Sequence, residues 1–195
     1  MSFPKTTPMQ KIYLIRHTAV KLPGKYFYGR TDVPLADTFP EEATRIRSLL
    51  PEQLGFPIWS SPLSRCRLLA ERLETPFEMD ERLVELDFGE WEMKRIEDIP
   101  QPERDHFLAN FTRVTPPQGE RFPDLQARAV SFLDEVMKND HPEMGIVAHS
   151  GVIRSMICHV MGLPLENTYR FGLDYGSVSI LVKDWKGLRV DQINL

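Results

Sequence analysis

The sequence predicts an α/β fold of three layers (α/β/α), in which helices cover both faces of a mainly parallel central sheet. Short apolar runs that suit buried strands alternate with amphipathic stretches that suit helices. Two of the stretches, residues 11–18 and 144–151, are alike: an arginine and a histidine follow the apolar residues of the first, and a histidine follows those of the second. Such alternation favours parallel strands joined by crossover helices. A last pair of strands, 177–183 and 187–193, is expected to add an antiparallel edge.

Length, composition and charge are those of an ordinary globular protein. The 195 residues suffice for one domain over 1–195, and the net charge is −4. An acidic chain argues against nucleic acid as a partner, since surfaces that bind nucleic acid are usually basic. It leaves room for a small anionic substrate in a locally positive pocket. No apolar run approaches the ~20 residues of a membrane span, and no secretion signal is present, so a cytoplasmic protein is expected.

Local signals place the elements of the first half. These elements are a leader at 1–9, strands at 11–16 and 57–60, a loop at 18–37 and helices at 38–50 and 60–74. Thr38 and Glu41 have the spacing of a capping box for the first helix. Ser61 can cap the second helix, with Pro62 at its first position. Arg65 then lies in the first turn, where free N–H groups and the helix dipole favour an anion.

The second half contains the less regular part of the chain. Its expected elements are strand-like pieces at 76–91, an insertion at 92–121, a helix at 123–138, a strand at 144–148 and a helix at 151–161. The insertion is rich in proline, and long irregular stretches in compact domains often form lids. Glu85 lies between apolar neighbours, which is typical either of an edge-strand surface or of a functional acid. Cys66 and Cys158 fall on apolar helix positions and are expected to be buried thiols.

The two runs that end in histidine predict a shared site. Ligands of open α/β sheets bind outside the carboxyl ends of the strands. Arg16 and His17 follow the first strand, and His149 follows the strand at 144–148. We therefore expect these two strands to be neighbours that present both histidines to one crevice.

Four sequence pieces occur together in an order that resembles the histidine phosphatase, or phosphoglycerate mutase-like, superfamily. They are RHT at 16–18, SSPLSRCR at 60–67, ELDFGEWE at 85–92 and AHSGVIRS at 148–155. No single piece is decisive, but the ordered set, each piece in its expected strand or helix context, is specific. The resemblance extends from about residue 11 to the end of the chain and implies the fold of that superfamily.

The resemblance implies a role for each matched residue. His17 would attack phosphorus and carry a phosphohistidine. Arg16 and Arg65 would bind phosphate oxygens, whose geometry suits guanidinium groups. His149 would donate to the same oxygens and stabilise the transition-state charge, and Glu85 would protonate the leaving alkoxide and later activate water. No metal and no other cofactor is implied, because side chains supply the positive charge.

The segment after His17 departs from the commonest family pattern. That pattern continues with Gly-Glu-Thr and, shortly after, an asparagine that contacts phosphate. This chain has Thr18-Ala19-Val20 and, at the asparagine position, Pro23. Thr18 or the loop at 26–30 must therefore supply the missing contact, and Tyr28 and Gly29 are the candidates in that loop.

Several segments resemble one branch of the superfamily, the bacterial α-ribazole phosphatase-like proteins. They are YFYGRTDVPLADTF at 26–39, SSPLSRCR at 60–67, GEWEM at 89–93 and TPPQGERFPDL at 115–125. The resemblance implies removal of the 5′-phosphate from α-ribazole phosphate in cobalamin assembly. Residues near Gly119 and Glu120 would help to close the site, so Glu120 is a candidate substrate contact, although Arg121 stands where a serine is often found. Ser150, in the piece at 148–155, is a further candidate substrate contact.

Other functions stay open on the sequence alone. A broad-specificity sugar or nucleotide phosphatase is the stronger rival, and a phosphoglycerate mutase would need insertions for which 195 residues leave little room. A non-catalytic phosphate-binding protein would have lost one of His17, Glu85 and His149, and a metal hydrolase would be stopped by EDTA. The oligomeric state is open, a homodimer included. His106, His141 and His159 match nothing and are expected to be structural.

Overall fold

A computed structural model describes residues 9–195, and its elements alternate as the sequence predicts. The strands are β1 (Gln10–Arg16), β2 (Ile58–Ser60), β3 (Phe77–Met79), β4 (Glu143–Ala148), β5 (Val178–Asp184) and β6 (Gly187–Gln192). The helices are α1 (Phe39–Ser48), α2 (Ser64–Arg72), α3 (Gln101–Asn110), α4 (Phe122–Val136) and α5 (Ser150–Met161). The expected leader lies, apart from Met9, outside the described residues.

The six strands form one mixed sheet in the order β3-β2-β4-β1-β5-β6. Strands β3, β2, β4 and β1 are mutually parallel, and β5 and β6 run antiparallel at one side. The prediction of an antiparallel terminal pair is thus confirmed. The predicted neighbours β1 and β4 pair directly, with Arg16 opposite Ala148. The carboxyl ends of β1 and β4 therefore lie side by side, and His17 and His149 are the next residues after them.

Alternating residues of β1 pack into two apolar clusters, one on each face of the sheet. Ile12 and Leu14 pack with α4 and α5 in one apolar cluster. Tyr13 and Ile15 pack with α1 and α2 in the other. Because neighbouring strand residues point to opposite faces, this pattern requires a sheet covered on both sides. The three-layer prediction is confirmed.

The starts of two helices differ from the prediction. No side chain caps α1. The hydroxyl of Thr38 does not accept the N–H of Glu41 and instead donates to Oε1 of Glu42, whose Oε2 accepts the N–H of Ala19 in the loop after β1. Helix α2 begins at Ser64, because Leu63 before it is still extended, with ψ 138°. The expected cap at Ser61 and first turn at Pro62 are wrong. Both cases show tertiary contacts overriding local capping signals.

The segment around Glu85 and the insertion at 92–121 have more irregular structure than the core. After β3, a 3₁₀ turn covers Glu81–Leu83 and Glu85 follows in a loop, so the strand-like pieces expected around it are wrong beyond Met79. The insertion holds α3, whose Phe107 packs against Phe27, Trp91 and Ile99 in a third apolar cluster.

The remaining sequence predictions about single residues concern thiols and histidines. Cys66 and Cys158 are free and buried, as predicted. The side chains of His106, His141 and His159 are exposed. None of the helices in the 9–195 range is both long and apolar enough for a bilayer.

Candidate active site

Two histidine rings meet at the carboxyl ends of the central strands. The ring centroids of His17 and His149 lie 5.1 Å apart, with the planes inclined by 62°. Both side chains are almost completely buried. The N–H of His17 donates to the carbonyl of Ala148 at 3.1 Å, which continues the β1–β4 pairing by one residue. Strand pairing alone therefore brings the two rings together.

The ring of His17 is held as a neutral imidazole with one free nitrogen. Its Nδ1 lies 2.8 Å from the carbonyl oxygen of Thr18, and a carbonyl can only accept, so Nδ1 carries the proton. Nε2 is left with its lone pair. Burial, helped by the charges of Arg65 and Arg16, holds the pKa of His17 well below its usual 6.5. The ring is therefore neutral at neutral pH, with Nε2 unprotonated, as a nucleophilic nitrogen must be.

Arg65 ties the second histidine to the loop that follows β1. Its guanidinium is fully buried and donates from Nη1 to the Thr31 carbonyl at 2.9 Å and from Nη2 to the Gly29 carbonyl at 2.6 Å. Its Nε donates to Nδ1 of His149 at 3.2 Å, so Nδ1 must accept. The proton of His149 is then on Nε2, which donates to the hydroxyl of Ser61 at 2.8 Å.

The bonding of His149 changes what the sequence predicted for it. Burial and the nearby Arg65 lower the pKa of His149 well below 6.5, which keeps the ring neutral. Both ring nitrogens are engaged by protein groups, and Sγ of Cys66 lies 3.5 Å from Nε2. A hydrogen bond to a phosphoryl oxygen therefore requires the whole ring of His149 to rotate, so that Nε2–H leaves Ser61 and Nδ1 leaves Arg65.

Arg16 lies on the other side of His17. Its Nη1 donates to the carbonyl of Leu173 at 2.5 Å, and its guanidinium carbon lies 4.0 Å from the centre of the Tyr175 ring. Its Nε is buried and has no hydrogen-bond partner among residues 9–195. Because buried donors are normally satisfied, this N–H is suited to an anionic ligand.

Glu85 is fixed against the start of helix α5. Its Oε1 accepts the N–H of Leu86 at 2.9 Å, and its Oε2 accepts the N–H of Gly151 at 3.0 Å. A side chain at position 151 would put Cβ only 2.4 Å from Oε1 of Glu85, so glycine is needed there. The alternative of an exposed edge-strand position for Glu85 is wrong, because the carboxyl is half-buried and lines the same cavity as His17.

Comparison with known proteins agrees with this geometry. A sequence model of the Histidine phosphatase superfamily (branch 1) matches residues 12–195. The chain belongs to the histidine phosphatase superfamily. It is a phosphatase with the fold of that superfamily, and its relatives include the α-ribazole phosphatases, as the sequence predicts.

Relatives within the histidine phosphatases carry more than one substrate name. A Hydrogenobacter thermophilus protein named as a phosphoserine phosphatase is 30% identical, with 88% of each chain covered. The Escherichia coli adenosylcobalamin/alpha-ribazole phosphatase is 27% identical, with 88% of this chain and 89% of that protein covered. The solved structure of YhfR from Bacillus stearothermophilus has a TM-score of 0.85 at 27% identity, covering 94% of this chain and 96% of that chain.

Four of the five candidate catalytic residues, Arg16, His17, Arg65 and Glu85, line a cavity of about 450 Å³ with an aromatic wall, whereas His149 is not among its lining residues. Its charged or titratable lining groups, within the part of the chain that the structure describes, are Arg16, His17, Arg65, Glu85 and tyrosine hydroxyls. The apolar and aromatic lining comprises Tyr26, Phe27, Tyr28, Leu86, Phe88, Phe107, Leu108, Phe111, Phe122, Tyr169 and Tyr175. Part of that wall comes from the insertion at 92–121.

Besides Arg16 and Arg65, two of the predicted substrate contacts line the cavity and three do not. Tyr28 and Ser150 are on its wall. Thr18 is fully buried and holds Nδ1 of His17 through its carbonyl. Gly29 is buried, and its carbonyl accepts from Arg65. Glu120 pairs with Arg128 at 2.7 Å. The structure thus places these three behind the catalytic residues, where they position other groups.

Glu92 and Arg128 hold the loops that carry the candidate catalytic residues, and they were not singled out from the sequence. The carboxylate of Glu92 accepts N–H groups from Phe88 and from all three residues 29–31. Although burial opposes ionisation, the hydroxyl of Thr31 and these N–H groups hold the pKa of Glu92 below its usual value. Arg128 donates to the carbonyls of residues 82, 84 and 85 and so fixes the loop that carries Glu85. Glu92 lies in the GEWE motif, a signal that was present; Arg128 looks like any helix arginine in sequence.

Proposed function

We propose that this phosphatase hydrolyses phosphomonoesters through a phosphohistidine on Nε2 of His17, with α-ribazole 5′-phosphate as its substrate. The observation that carries the proposal is the neutral imidazole of His17, whose free Nε2 faces a cavity between Arg16 and Arg65. A neutral nucleophile beside two permanent cations suits attack on a phosphate dianion.

The reaction divides into two transfers at phosphorus. Nε2 of His17 forms a bond to phosphorus while the ester oxygen leaves, and Glu85 gives that oxygen a proton. Water then attacks the phosphohistidine, Glu85 takes the proton of the water, and the P–N bond breaks to return His17 and free phosphate. Arg16 and Arg65 stabilise the charge on the equatorial oxygens. His149 adds a hydrogen bond to one of these oxygens when its ring rotates and Nε2–H leaves Ser61.

The cavity wall supports an aromatic leaving group. α-Ribazole carries an aromatic base on a ribose, whereas phosphoserine adds an ammonium and a carboxylate close to the phosphate. The charged lining groups are all needed for phosphoryl transfer, and the rest of the wall is mainly aromatic. An aromatic base gains from burial against such a wall, whereas the serine charges lose hydration there without gaining partners.

The insertion at 92–121 is proposed as the cover of this cavity. Phe107, Leu108 and Phe111 of its helical part line the cavity. Phe107 also packs edge-on against Trp91, with ring centroids 5.2 Å apart, which anchors the insertion to the loop of Glu85. The leaving group would therefore be enclosed by residues outside the central sheet.

The test is a substrate screen with matched variants. α-Ribazole 5′-phosphate is compared with O-phosphoserine, glucose 6-phosphate, AMP and 3-phosphoglycerate, and the last is assayed for mutase products as well. The expected result is the highest kcat/KM for α-ribazole 5′-phosphate; a higher value for phosphoserine would favour the function named for the Hydrogenobacter relative. His17→Ala should abolish turnover, and His159→Ala, an exposed histidine on α5, is the control.

A trapped intermediate separates an enzyme of this mechanism from a phosphate-binding protein. Acid-free quenching with a ³²P-labelled ester should yield a phosphoprotein that is stable to alkali and labile to acid, the pattern of a phosphoramidate. Its absence from a turning-over sample of unaltered protein, together with activity in His17→Ala, would remove His17 as the nucleophile.

A further inference from the structure

Two tyrosine hydroxyls meet beside the catalytic residues. The hydroxyls of Tyr28 and Tyr175 form a hydrogen bond with each other, although the residues are 147 positions apart in the chain. Tyr28 comes from the loop after β1, and Tyr175 from the segment before β5. Both line the active-site cavity. We name them the tyrosine pair.

Each ring of the tyrosine pair lies against one of the arginines of the site. The guanidinium carbon of Arg16 is 4.0 Å from the centre of the Tyr175 ring. That of Arg65 is 5.3 Å from the centre of the Tyr28 ring. The Tyr175 ring is also 5.5 Å from the ring of His17. The tyrosine pair and the two arginines therefore lie next to one another beside His17, whose Nε2 would attack phosphorus.

The pair has one hydrogen-bond donor to spare. Two phenols carry two protons, and the bond between them uses one, whichever hydroxyl donates. Burial and the neighbouring Tyr175 raise the pKa of Tyr28, so the hydroxyl of Tyr28 keeps its proton at neutral pH. The second proton is free to turn towards an acceptor, and the nearest charges, on Arg16 and Arg65, would bring a phosphoryl group.

We propose that the tyrosine pair donates a hydrogen bond to a phosphoryl oxygen during transfer to His17, which makes Tyr175 a substrate-binding residue alongside Tyr28. The inference rests on the proposed function of the site. A neutral donor adds a charge-assisted bond without adding a third positive charge to Arg16 and Arg65. It also holds the two loops together across the phosphoryl position.

The location of the pair favours the phosphoryl group over the leaving group. Other aromatic residues of the cavity pack with one another, as do Phe27 with Phe88 and Phe111 with Phe122. Among the tyrosine and phenylalanine rings that line the cavity within residues 9–195, only those of the tyrosine pair stack against the arginines that would bind phosphate. Loss of a hydroxyl should thus affect every substrate in the same proportion.

The experiment uses Tyr28→Phe, Tyr175→Phe and the double variant, which remove the hydroxyls and keep the rings. We measure kcat/KM on an aryl phosphate and an alkyl phosphate, and inhibition by orthovanadate, which takes the place of the phosphoryl group. Loss of a hydrogen bond to a charged group predicts a decrease of roughly 10- to 100-fold in kcat/KM for at least one single variant. The decrease should be equal for both substrates and accompanied by weaker vanadate inhibition.

The double variant and a remote control sharpen the test. Because the two hydroxyls act as one donor unit, the loss in the double variant should be smaller than the product of the two single losses. Tyr13→Phe deletes a buried hydroxyl that bonds Glu143 on β4, remote from the cavity wall, and should leave vanadate inhibition unchanged.

Two results would overturn the inference. Vanadate inhibition equal to that of the unaltered protein in all three variants would show that the pair does not touch the phosphoryl group. A loss restricted to one leaving group would assign the pair to the ester side instead. In both cases the unaltered protein is an active phosphatase; an unaltered protein that neither hydrolyses esters nor binds vanadate would refute the proposed function itself.

Discussion

Replacement of Glu92 by glutamine should weaken the hydrogen bonds that hold the loop at residues 29–31, although Glu92 does not itself line the cavity. Oε1 of Glu92 accepts the N–H groups of Gly29, Arg30 and Phe88, each at 3.0 Å. Oε2 accepts from Gly29 at 3.0 Å and from the N–H and hydroxyl of Thr31 at 3.2 and 2.6 Å. An amide exchanges one of these oxygens for an NH₂ group, which can only donate. Whichever way it is turned, backbone N–H groups then face another donor.

The magnitude follows from those lost bonds. A hydrogen bond to a charged group contributes about 1.5–3 kcal/mol, and a buried donor left without a partner costs about 1–3 kcal/mol. With part of the loss relieved by relaxation of the loop, we expect Glu92→Gln to lower the free energy of unfolding by about 2–4 kcal/mol. For a domain of this size that corresponds to a decrease of about 4–16 °C in Tm.

Activity should fall with stability, because the same loop holds Arg65. The carbonyls of Gly29 and Thr31 accept from its guanidinium. Misplacement of a positioned group by about 1 Å can cost roughly a hundredfold in rate, so a decrease of that order in kcat/KM is expected at a temperature where the variant is folded.

Urea unfolding and kcat/KM on an aryl phosphate measure the two effects, and Glu90→Gln provides the matched control. Glu90 is two residues earlier in the same motif and is exposed, so its substitution should change the free energy of unfolding by less than about 0.5 kcal/mol. If Glu92→Gln unfolds at the same urea concentration as the unaltered protein and keeps its kcat/KM, the carboxylate does not organise this site.

Three further predictions concern the catalytic groups. Because the pKa of His17 and that of His149 lie below 6.5, kcat/KM should stay level as pH falls from 7.5 to 6.5 and decline only below that value. The unfolded chain binds protons there first, so unfolding titrations should show each histidine removing up to about 1.4 kcal/mol per pH unit below 6.5; an acid limb centred at 6.5 or above would contradict the lowered pKa values. Gly151→Ala should displace the carboxyl of Glu85, since the added Cβ would lie 2.4 Å from Oε1, and reduce kcat on alkyl phosphates, whereas Gly55→Ala meets nothing within 4 Å and should leave kcat unchanged. Glu85→Gln should slow alkyl phosphates far more than aryl phosphates, which need no proton on the leaving oxygen; equal slowing in a two-substrate assay would remove its role as the acid.

Strong local patterns explain why the sheet and the paired histidines could be predicted. An apolar run that ends in a polar residue marks a buried strand and its exit from the sheet, and β1 and β4 both have that pattern. Their parallel pairing, with Arg16 opposite Ala148, then follows from the alternation of strands and helices. The adjacency of these two strands and the covered faces of the sheet needed no knowledge of distant contacts.

Features that depend on distant contacts were beyond local patterns. Ser61 has the sequence context of a helix cap, but its hydroxyl instead accepts Nε2–H of His149, 88 residues away. Glu120 was expected at the substrate, but Arg128, two helical turns on, takes its carboxylate. Tyr175 belongs to a short irregular segment before β5, where no periodicity marks a functional side chain. In each case a partner known only from the fold decides the role.

The surroundings of the two arginines have a consequence for how the enzyme responds to phosphate. The hydrogen bonds of Arg65 go to two carbonyl oxygens and a neutral imidazole, and Arg16 donates to the carbonyl of Leu173. These neutral acceptors orient the two guanidinium groups without cancelling their positive charge. A phosphate dianion that binds between them would supply the compensating negative charge. Inorganic phosphate, the released product, should therefore act as a thermal stabiliser, by about 2.7 kcal/mol at a hundred times its Kd, and its accumulation would slow turnover.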